Sequence, residues 1–249
     1  MFVRIRILQW NIHYKEDIRK IIAQIKRWNP DIVCLQELTQ VCVHNDFQDT
    51  FELVKNTLHY HGYFALAHTY PSGEVGGNGI FSRYPLESTS TVMVQNATAQ
   101  DDFSREGRSV AVASVVLPGA SIKIATTHLS YTNRFEPTPR KKKEVKRLLD
   151  LMKKQKGQFI MTGDFNCTPS SEYVQEIMRV LKSAGPNFDL PTWTTKPFEY
   201  NGFKEDKLRW RLDYVFHTPD VKIISSEILQ TSASDHLPIL VTVDIADKK

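Results

Sequence analysis

A chain of 249 residues, 41% hydrophobic and 24% charged, is long enough to bury one large α/β core, and a single domain over residues 1–249 is expected. It holds no apolar run near the roughly 20 residues that would cross a bilayer as a helix, and its net charge of +4 leans toward polyanions too weakly to establish nucleic-acid binding. Cys34, Cys42 and Cys167 show neither CxxC nor zinc spacing, so reduced thiols are expected. The N-terminus enters a strand without a cleavable apolar leader, so a protein that is cytoplasmic or otherwise intracellular is expected; a monomer is a separate expectation.

From Val3 to Asn11, Val3, Ile5 and Ile7 alternate with Arg4 and Arg6, the period of a half-buried strand, and Asn11 continues the apolar parity at its end. Ile18, Ile21, Ile22 and Ile25 recur at helical spacing, predicting a helix from Lys15 to Trp28 closed by Asn29 and Pro30. Asp31 to Glu37 is apolar until Gln36 and Glu37, the pattern of a strand covered on both faces. Strand, helix and strand make a βαβ unit, which brings Asn11 and Glu37 to one edge of a parallel pair.

A second helix is predicted from Phe47 to Leu58, and strands near Tyr63 to His68 and Gly79 to Arg83. The glycine-rich GEVGGNG between them reads as a flexible loop. Thr89 to Phe103 shows no clear period, and NATAQDDFSREG reads as a mobile loop. Arg108 then enters the strand SVAVASVVL, which Pro118 and Gly119 link in hairpin fashion to SIKIATTHL. Ile122, Ile124, Thr126 and His128 share one parity, so His128 stands at a strand end on the core side. Arg140 to Lys156 is an amphipathic helix with the stripe Val145, Leu148, Leu149 and Met152; its other positions are crowded with lysine and arginine, a solvated face or a phosphate contact.

In QFIMTGDFNC, Phe159, Ile160 and Met161 form a buried strand that stops at Gly163, with Asp164 and Asn166 two apart beyond it. A carboxylate and a carboxamide at that spacing can point the same way from an extended backbone and grip a metal, a phosphate or an attacking water; alone, they are as readily an Asx turn. Ser170 or Ser171 then caps a helix from Glu172 to Leu181. Leu190 to Trp210 has no period and mixes Trp193, Phe198, Tyr200, Phe203 and Trp210 with lysines, a composition that suits stacking on bases or anchoring a long loop. The strands RLDYVF and VKIISSEIL follow, and Ser234, Asp235 and His236 precede a last strand.

Polar groups thus recur at strand ends: Asn11, Glu37, His128, Asp164, Asn166, Asp213, Asp235 and His236. Oxygen donors without cysteine suit a hard divalent cation, Mg²⁺ or Mn²⁺. In order, LQWN, DIVCLQE, TTHL, TGDFN, RLDYVF and SDHLP resemble the signature set of the endonuclease/exonuclease/phosphatase (DNase I-like) superfamily, in the branch that carries THL, GDFN and SDH. The resemblance implies an α/β fold, a four-layer α/β/β/α sandwich of two mixed sheets with helices outside, and metal-dependent attack of water on a phosphoester. Carried over by position, it implies Glu37 as principal metal ligand with Asn11 and Asp235 in support, and Asp164 as the group that deprotonates water. It also implies Asn166 and His236 on the phosphate, Asp213 holding His236, His128 near the leaving oxygen and Arg108 on a phosphate. Trp193, Tyr200 and Trp210 are the candidate substrate-stacking residues.

His13 stands where abasic-site endonucleases have an acid or amide, LDY where inositol polyphosphate 5-phosphatases have a CDR-type motif, and the disulfides of secreted pancreatic-type deoxyribonuclease are not evident. These departures leave a group that includes 5′-tyrosyl-DNA phosphodiesterases, poly(A) deadenylase-like enzymes and many bacterial or archaeal members of unassigned substrate. The expectation is a Mg²⁺-dependent phosphodiesterase cleaving nucleic acid, DNA rather than RNA; the alternatives are a phosphatase or phosphodiesterase for small or lipid phosphates and a catalytically silent binding module on the same fold.

Overall fold

The computed structural model describes residues 2–98 and 105–247. In chain order its first half comprises β1 (Phe2–Asn11), α1 (Ile18–Trp28), β2 (Ile32–Gln40), α2 (Thr50–Leu58), β3 (His61–Thr69), β4 (Val75–Ser82) and β5 (Leu86–Gln95). The second comprises β6 (Arg108–Leu117), β7 (Ala120–His128), α3 (Pro139–Lys153), β8 (Phe159–Asp164), α4 (Glu172–Met178), β9 (Lys182–Ser183), β10 (Phe198–Tyr200), β11 (Phe203–Glu205), β12 (Asp213–His217), β13 (Lys222–Ile228) and β14 (Ile239–Ala246). Side chains set the helix starts. Asp17, Asp49, Thr138 and Ser171 each accept a first-turn amide, contacts worth ~1 kcal/mol apiece.

One sheet runs β13-β14-β1-β2-β4-β3 and the other β5-β6-β7-β8-β12-β9. Each contains a parallel pair joined by a helix, β1 with β2 through α1 and β7 with β8 through α3, and antiparallel neighbours complete it. Ile5, Ile7, Ile32 and Cys34 of the first sheet meet Ala111, Ile122, Ile124, Ile160 and Val215 of the second in a core between the sheets. The opposite parity of the same strands faces the helices. Leu8, Trp10, Val33 and Leu35 pack on Ile18, Ile21, Ile22 and Ile25, while Phe159 and Met161 pack on Val145, Leu148, Met152 and Val174. The result is the four-layer α/β/β/α sandwich.

Three local expectations are corrected. β2 does not stop at Glu37. It continues to Gln40 through a bulge, its register against β4 slipping between Leu35 and Leu38 with Glu37 at φ 62°. The stretch Gly73 to Gly79 is mostly strand β4 instead of a loop, because a Cβ on Gly77 would meet the carbonyl of Ala65 on β3 and one on Gly76 the ring of His68. Residues 86–95 form the edge strand β5, exposed over most of its length and ordered by its ladder to β6; burying little, it shows no apolar period. Residues 99–104 of the expected loop lie outside the described residues.

The space between the sheets changes character along its length. Inward positions run Ile5, Ile7, Gln9, Asn11 on β1 and Ile122, Ile124, Thr126, His128 on β7. At the polar end Gln9 and Gln36 bond each other and Gln36 donates to Thr126, all fully buried.

Candidate active site

Strand direction explains why distant residues meet. The C-terminal ends of the parallel strands β1, β2, β7 and β8 lie at the same end of the sandwich as the N-terminal ends of the antiparallel strands β6, β12 and β14. Asn11, His128 and Asp164 close the first kind; Arg108, Asp213 and the Asp235–His236 turn open the second. Trp10 donates to the carbonyl of His236 at 2.9 Å and Ser234 to that of Asn11 at 2.8 Å, tying that turn to β1.

The β2 bulge aims Glu37 into this end. Its Oε1 accepts Asn11 Nδ2 at 2.9 Å and its Oε2 accepts the amide of Tyr14 at 3.1 Å, with His128 Nδ1 3.8 Å away. Asn11 Nδ2 also donates to Asp164 Oδ2 at 2.9 Å, so one amide bridges a carboxylate from each sheet. Asp164 Oδ1 accepts the amide of Asn166 at 2.8 Å, and Asn166 lies at φ 47°. The Asx turn is therefore present and the backbone is not extended; Asn166 Nδ2 reaches the carbonyl of Leu129 and His128 Nε2, each at 3.0 Å.

His236 Nδ1 lies 2.7 Å from Asp213 Oδ2, which fixes the ring, and its Nε2 faces Asp164 Oδ2 at 3.6 Å. Burial works against a charge on His236, but Asp213, Asp164 and Asp235 outweigh it and raise the imidazole to about 10. Burial raises Asp164 to about 7, against the pull of His236. His128 is driven well below its ordinary value by burial, then by Arg108 and His236, so it is neutral. Asp235 accepts Trp193 Nε1 at 3.0 Å and lies 3.9 Å from His13 Nδ1.

Glu37, His128, Asp164, Asn166, Asp235 and His236 line a cavity of about 680 Å³ together with Arg108, Tyr70, Tyr131, Phe198 and Tyr200, while Asn11 and Asp213 are not among its lining groups and act through Glu37, Asp164 and His236. Arg108 is buried beside Glu106, at 2.9 Å, and Glu106 accepts the hydroxyl of Tyr70. Trp193, 4% exposed, is a buried wall with its N–H on Asp235. Trp210 is not among the lining groups; it packs on Phe135 and donates to the buried Glu205 at 2.6 Å. Of the two readings of the aromatic segment, Trp210 takes the anchoring one. Sequence reasoning passed over Tyr14, His68, Tyr70, Glu106 and Tyr131, whose positions in loops or at strand ends carry no periodic signal.

The donor chemistry fits a divalent cation. Glu37, Asp164 and Asp235 all line the cavity, and among the described residues no lysine or arginine pairs with any of them, only imidazoles at 3.5–3.9 Å. Asp164, Asp213 and His236 also bring one donor atom each within 4.8 Å of one another, a buried group that can hold a metal. Glu37 and Asp235, with side chains 20% and 13% exposed against 6% for His236 and 1% for Asp213, are the more open donors.

Residues 8–236 match the sequence profile of the Endonuclease/Exonuclease/phosphatase family. No curated protein matches the chain. Among solved structures, an endonuclease/exonuclease/phosphatase from Beutenbergia cavernae DSM 12333 superposes with TM-score 0.78 and 22% identity, over 98% of this chain and 72% of its own. TDP2 of D. rerio complexed with single strand DNA product gives 0.70 and 18%, over 96% and 98%. A mannosyl-6-phosphatase of Bacteroides thetaiotaomicron VPI-5482 gives 0.68 and 14%, over 96% and 99%. At these identities the likeness is one of fold. Members of the matched family are hydrolases acting on phosphoesters and generally depend on a divalent metal. With the match running from the strand of Asn11 to His236, this chain belongs to the endonuclease/exonuclease/phosphatase family.

Proposed function

We propose that the chain is a Mg²⁺- or Mn²⁺-dependent phosphodiesterase that hydrolyses nucleic acid, DNA in preference to RNA, and works as an intracellular monomer. The observation that carries the catalytic reading is the meeting of Glu37, Asp164, Asp235 and His236 in one cavity, with no lysine or arginine pairing those carboxylates among the described residues. Glu37 would hold the cation, with Asn11 and Asp235 beside it. When bound, such an ion neutralises charge on the phosphoester oxygens.

The chain's own groups supply the rest. Asp164, held by Asn11 and by the Asn166 amide and raised to about 7, accepts a proton from water near neutral pH. His236, raised to about 10, remains a cation whose Nε2 can donate to a developing phosphoryl oxygen. Asp213 orients it; Asn166 and Arg108 serve as phosphate contacts, and neutral His128 stands toward the leaving oxygen. A cavity of about 680 Å³ is of small-ligand size, suited to a strand end or an unpaired nucleotide more than to an intact duplex. Tyr70, Tyr131, Phe198 and Tyr200 along it offer faces for bases, and the single strand DNA product bound to TDP2 supports DNA.

A second reading, a small or lipid phosphate, is favoured by the cavity's own cations. Of the lysines and arginines that line it, Arg108 faces Glu106 and Lys196 faces Glu16, which leaves the exposed Lys15 as the main positive surface for a polyanion. A panel of single-stranded, duplex, abasic, 5′-tyrosyl and poly(A) substrates beside a sugar phosphate, with Mg²⁺ and across salt, separates the two. The expected result is EDTA-sensitive cleavage of single-stranded DNA that weakens steeply with salt and drops by about 10³-fold in Glu37→Gln. Release from the sugar phosphate alone, insensitive to salt, would replace this reading with the second.

A further inference from the structure

Among the large apolar side chains left in water, Val41 at 52%, Val43 at 61% and Phe47 at 63% exposure share one loop, between β2 and α2. The amide of Phe47 donates to the carbonyl of Cys42 at 2.9 Å, which folds the loop back so that Phe47 returns beside the Val41–Val43 segment. The loop is anchored from beneath. Buried Asn45 donates to the carbonyl of Tyr14 at 3.0 Å and accepts the amide of Ile18 at 3.2 Å. Val41 and Phe47 lie at φ 59° and 58°, backbone that glycine adopts freely and a branched or bulky residue does not. Exposure and conformation both disfavour apolar side chains at these two positions, and burial against a partner would relieve the first.

Beside the loop stands a cationic surface. The outward face of α1 presents exposed Arg19, Lys20, Lys26 and Arg27, and no acidic residue occurs between Ile18 and Trp28. Arg19 joins the two features, its guanidinium reaching Asp46 at 3.9 Å and Gln48 at 3.5 Å, the residues on either side of Phe47. Lys20, Lys26 and Arg27 make no ion pair among the described residues. Of the carboxylates flanking the helix in sequence, Glu16 is paired with Lys196, Asp49 caps α2 and Glu52 is paired with Lys55. Asp17, the N-cap of α1, and Asp46 are the acids left at its N-terminal end, and its C-terminal half carries cations alone.

We propose that this face docks on an anionic lipid bilayer, with Val41, Val43 and Phe47 entering the interface while α1 lies along the headgroup phosphates. Each feature answers one layer of such a surface, the apolar loop the acyl boundary and the lysines and arginines the negative charge above it. Valines offer no ring on which a base can stack, so a nucleic acid would engage the cations and leave the loop in water. The mouth of the catalytic cavity shares the loop's edge. Tyr14 and Lys15 line the cavity, and the Tyr14 ring stands 5.7 Å from that of His44 within the loop. Docking therefore brings the mouth to the membrane surface. It goes beyond the choice of substrate above and does not depend on it.

The test is flotation of the whole chain with vesicles of phosphatidylcholine, alone or mixed with phosphatidylglycerol, in EDTA so that turnover plays no part. The mixed vesicles are expected to bind the protein at least about tenfold more tightly than the neutral ones, with affinity falling as salt rises. Phe47→Ser, and Lys20→Gln combined with Lys26→Gln, are each expected to weaken that binding about tenfold. All three positions are exposed and outside the catalytic cavity, so hydrolysis of a soluble phosphodiester by these variants is expected to be unchanged. Binding to mixed vesicles that is absent, or indifferent to Phe47→Ser, overturns the docking face. So does another occupant without vesicle binding: a single-stranded DNA hexanucleotide released by the lysine pair of substitutions, or a dimer dissociated by Phe47→Ser. Vesicle binding without any hydrolysis keeps the docking face and removes the catalytic reading, so the two fail separately.

Discussion

His236 is useful to phosphoryl transfer only as a cation, and its surroundings decide that it is one. In the fold it titrates at about 10 against an ordinary 6.5, because Asp213, Asp164 and Asp235 together overcome the burial that opposes charge. A raised pKa means that the folded chain holds this proton more tightly than the unfolded one. Its stabilising contribution is therefore whole below about pH 6.5 and is lost as pH rises through about 10. Asp164, raised by burial to about 7, acts in the same sense at lower pH. The urea midpoint of metal-free protein is expected to fall between pH 7 and 10, and His236→Gln to flatten that fall; parallel curves for the two proteins would contradict the charge assignment. In turnover, Asp164→Asn and His236→Ala are each expected to lower kcat by about 10²–10⁴-fold with the circular dichroism of the fold retained. Near wild-type kcat in either would remove that residue from its role.

At the scale of the element, regular periods were readable and irregular backbone was not. The isoleucines of α1 announce a helix because they form one buried stripe, and the parity of β1 carries straight from Ile5 and Ile7 to Asn11. The bulge that turns Glu37 into the site is invisible to periodicity, since one extra residue at Gln36–Glu37 leaves composition untouched. The glycines of β4 look like a loop in sequence because their purpose is close approach to β3, a long-range fact. Lys141 was hidden in the same way: one cation of a basic helix, it is the one that turns inward and satisfies two carbonyls beside the catalytic strand end. Lys141→Met would leave those buried carbonyls without a donor, each such loss costing about 1–3 kcal/mol. The expected outcome is a clear drop in thermal midpoint and about a tenfold lower kcat. A drop in stability with unchanged kcat would confine Lys141 to a structural role.

Taken whole, the molecule builds its site from topology. Residues separated by more than 200 positions, such as Asn11 and Asp235, meet because parallel strands end where antiparallel strands begin, at one end of two facing sheets. The residue types and their order made the candidate constellation legible. The aromatic segment was less so, since Trp193 and Trp210 are spent on Asp235 and Glu205 while Tyr131, from another loop, pairs with Tyr200 at the cavity. The central claim is that carboxylates from this convergence hold a divalent cation that phosphoester hydrolysis requires. Calorimetric titration of Mn²⁺ into metal-free protein tests it most directly. A saturable site that Glu37→Gln and Asp235→Asn each weaken at least about tenfold is the predicted result; Mn²⁺ binding of unchanged affinity in both variants would contradict it.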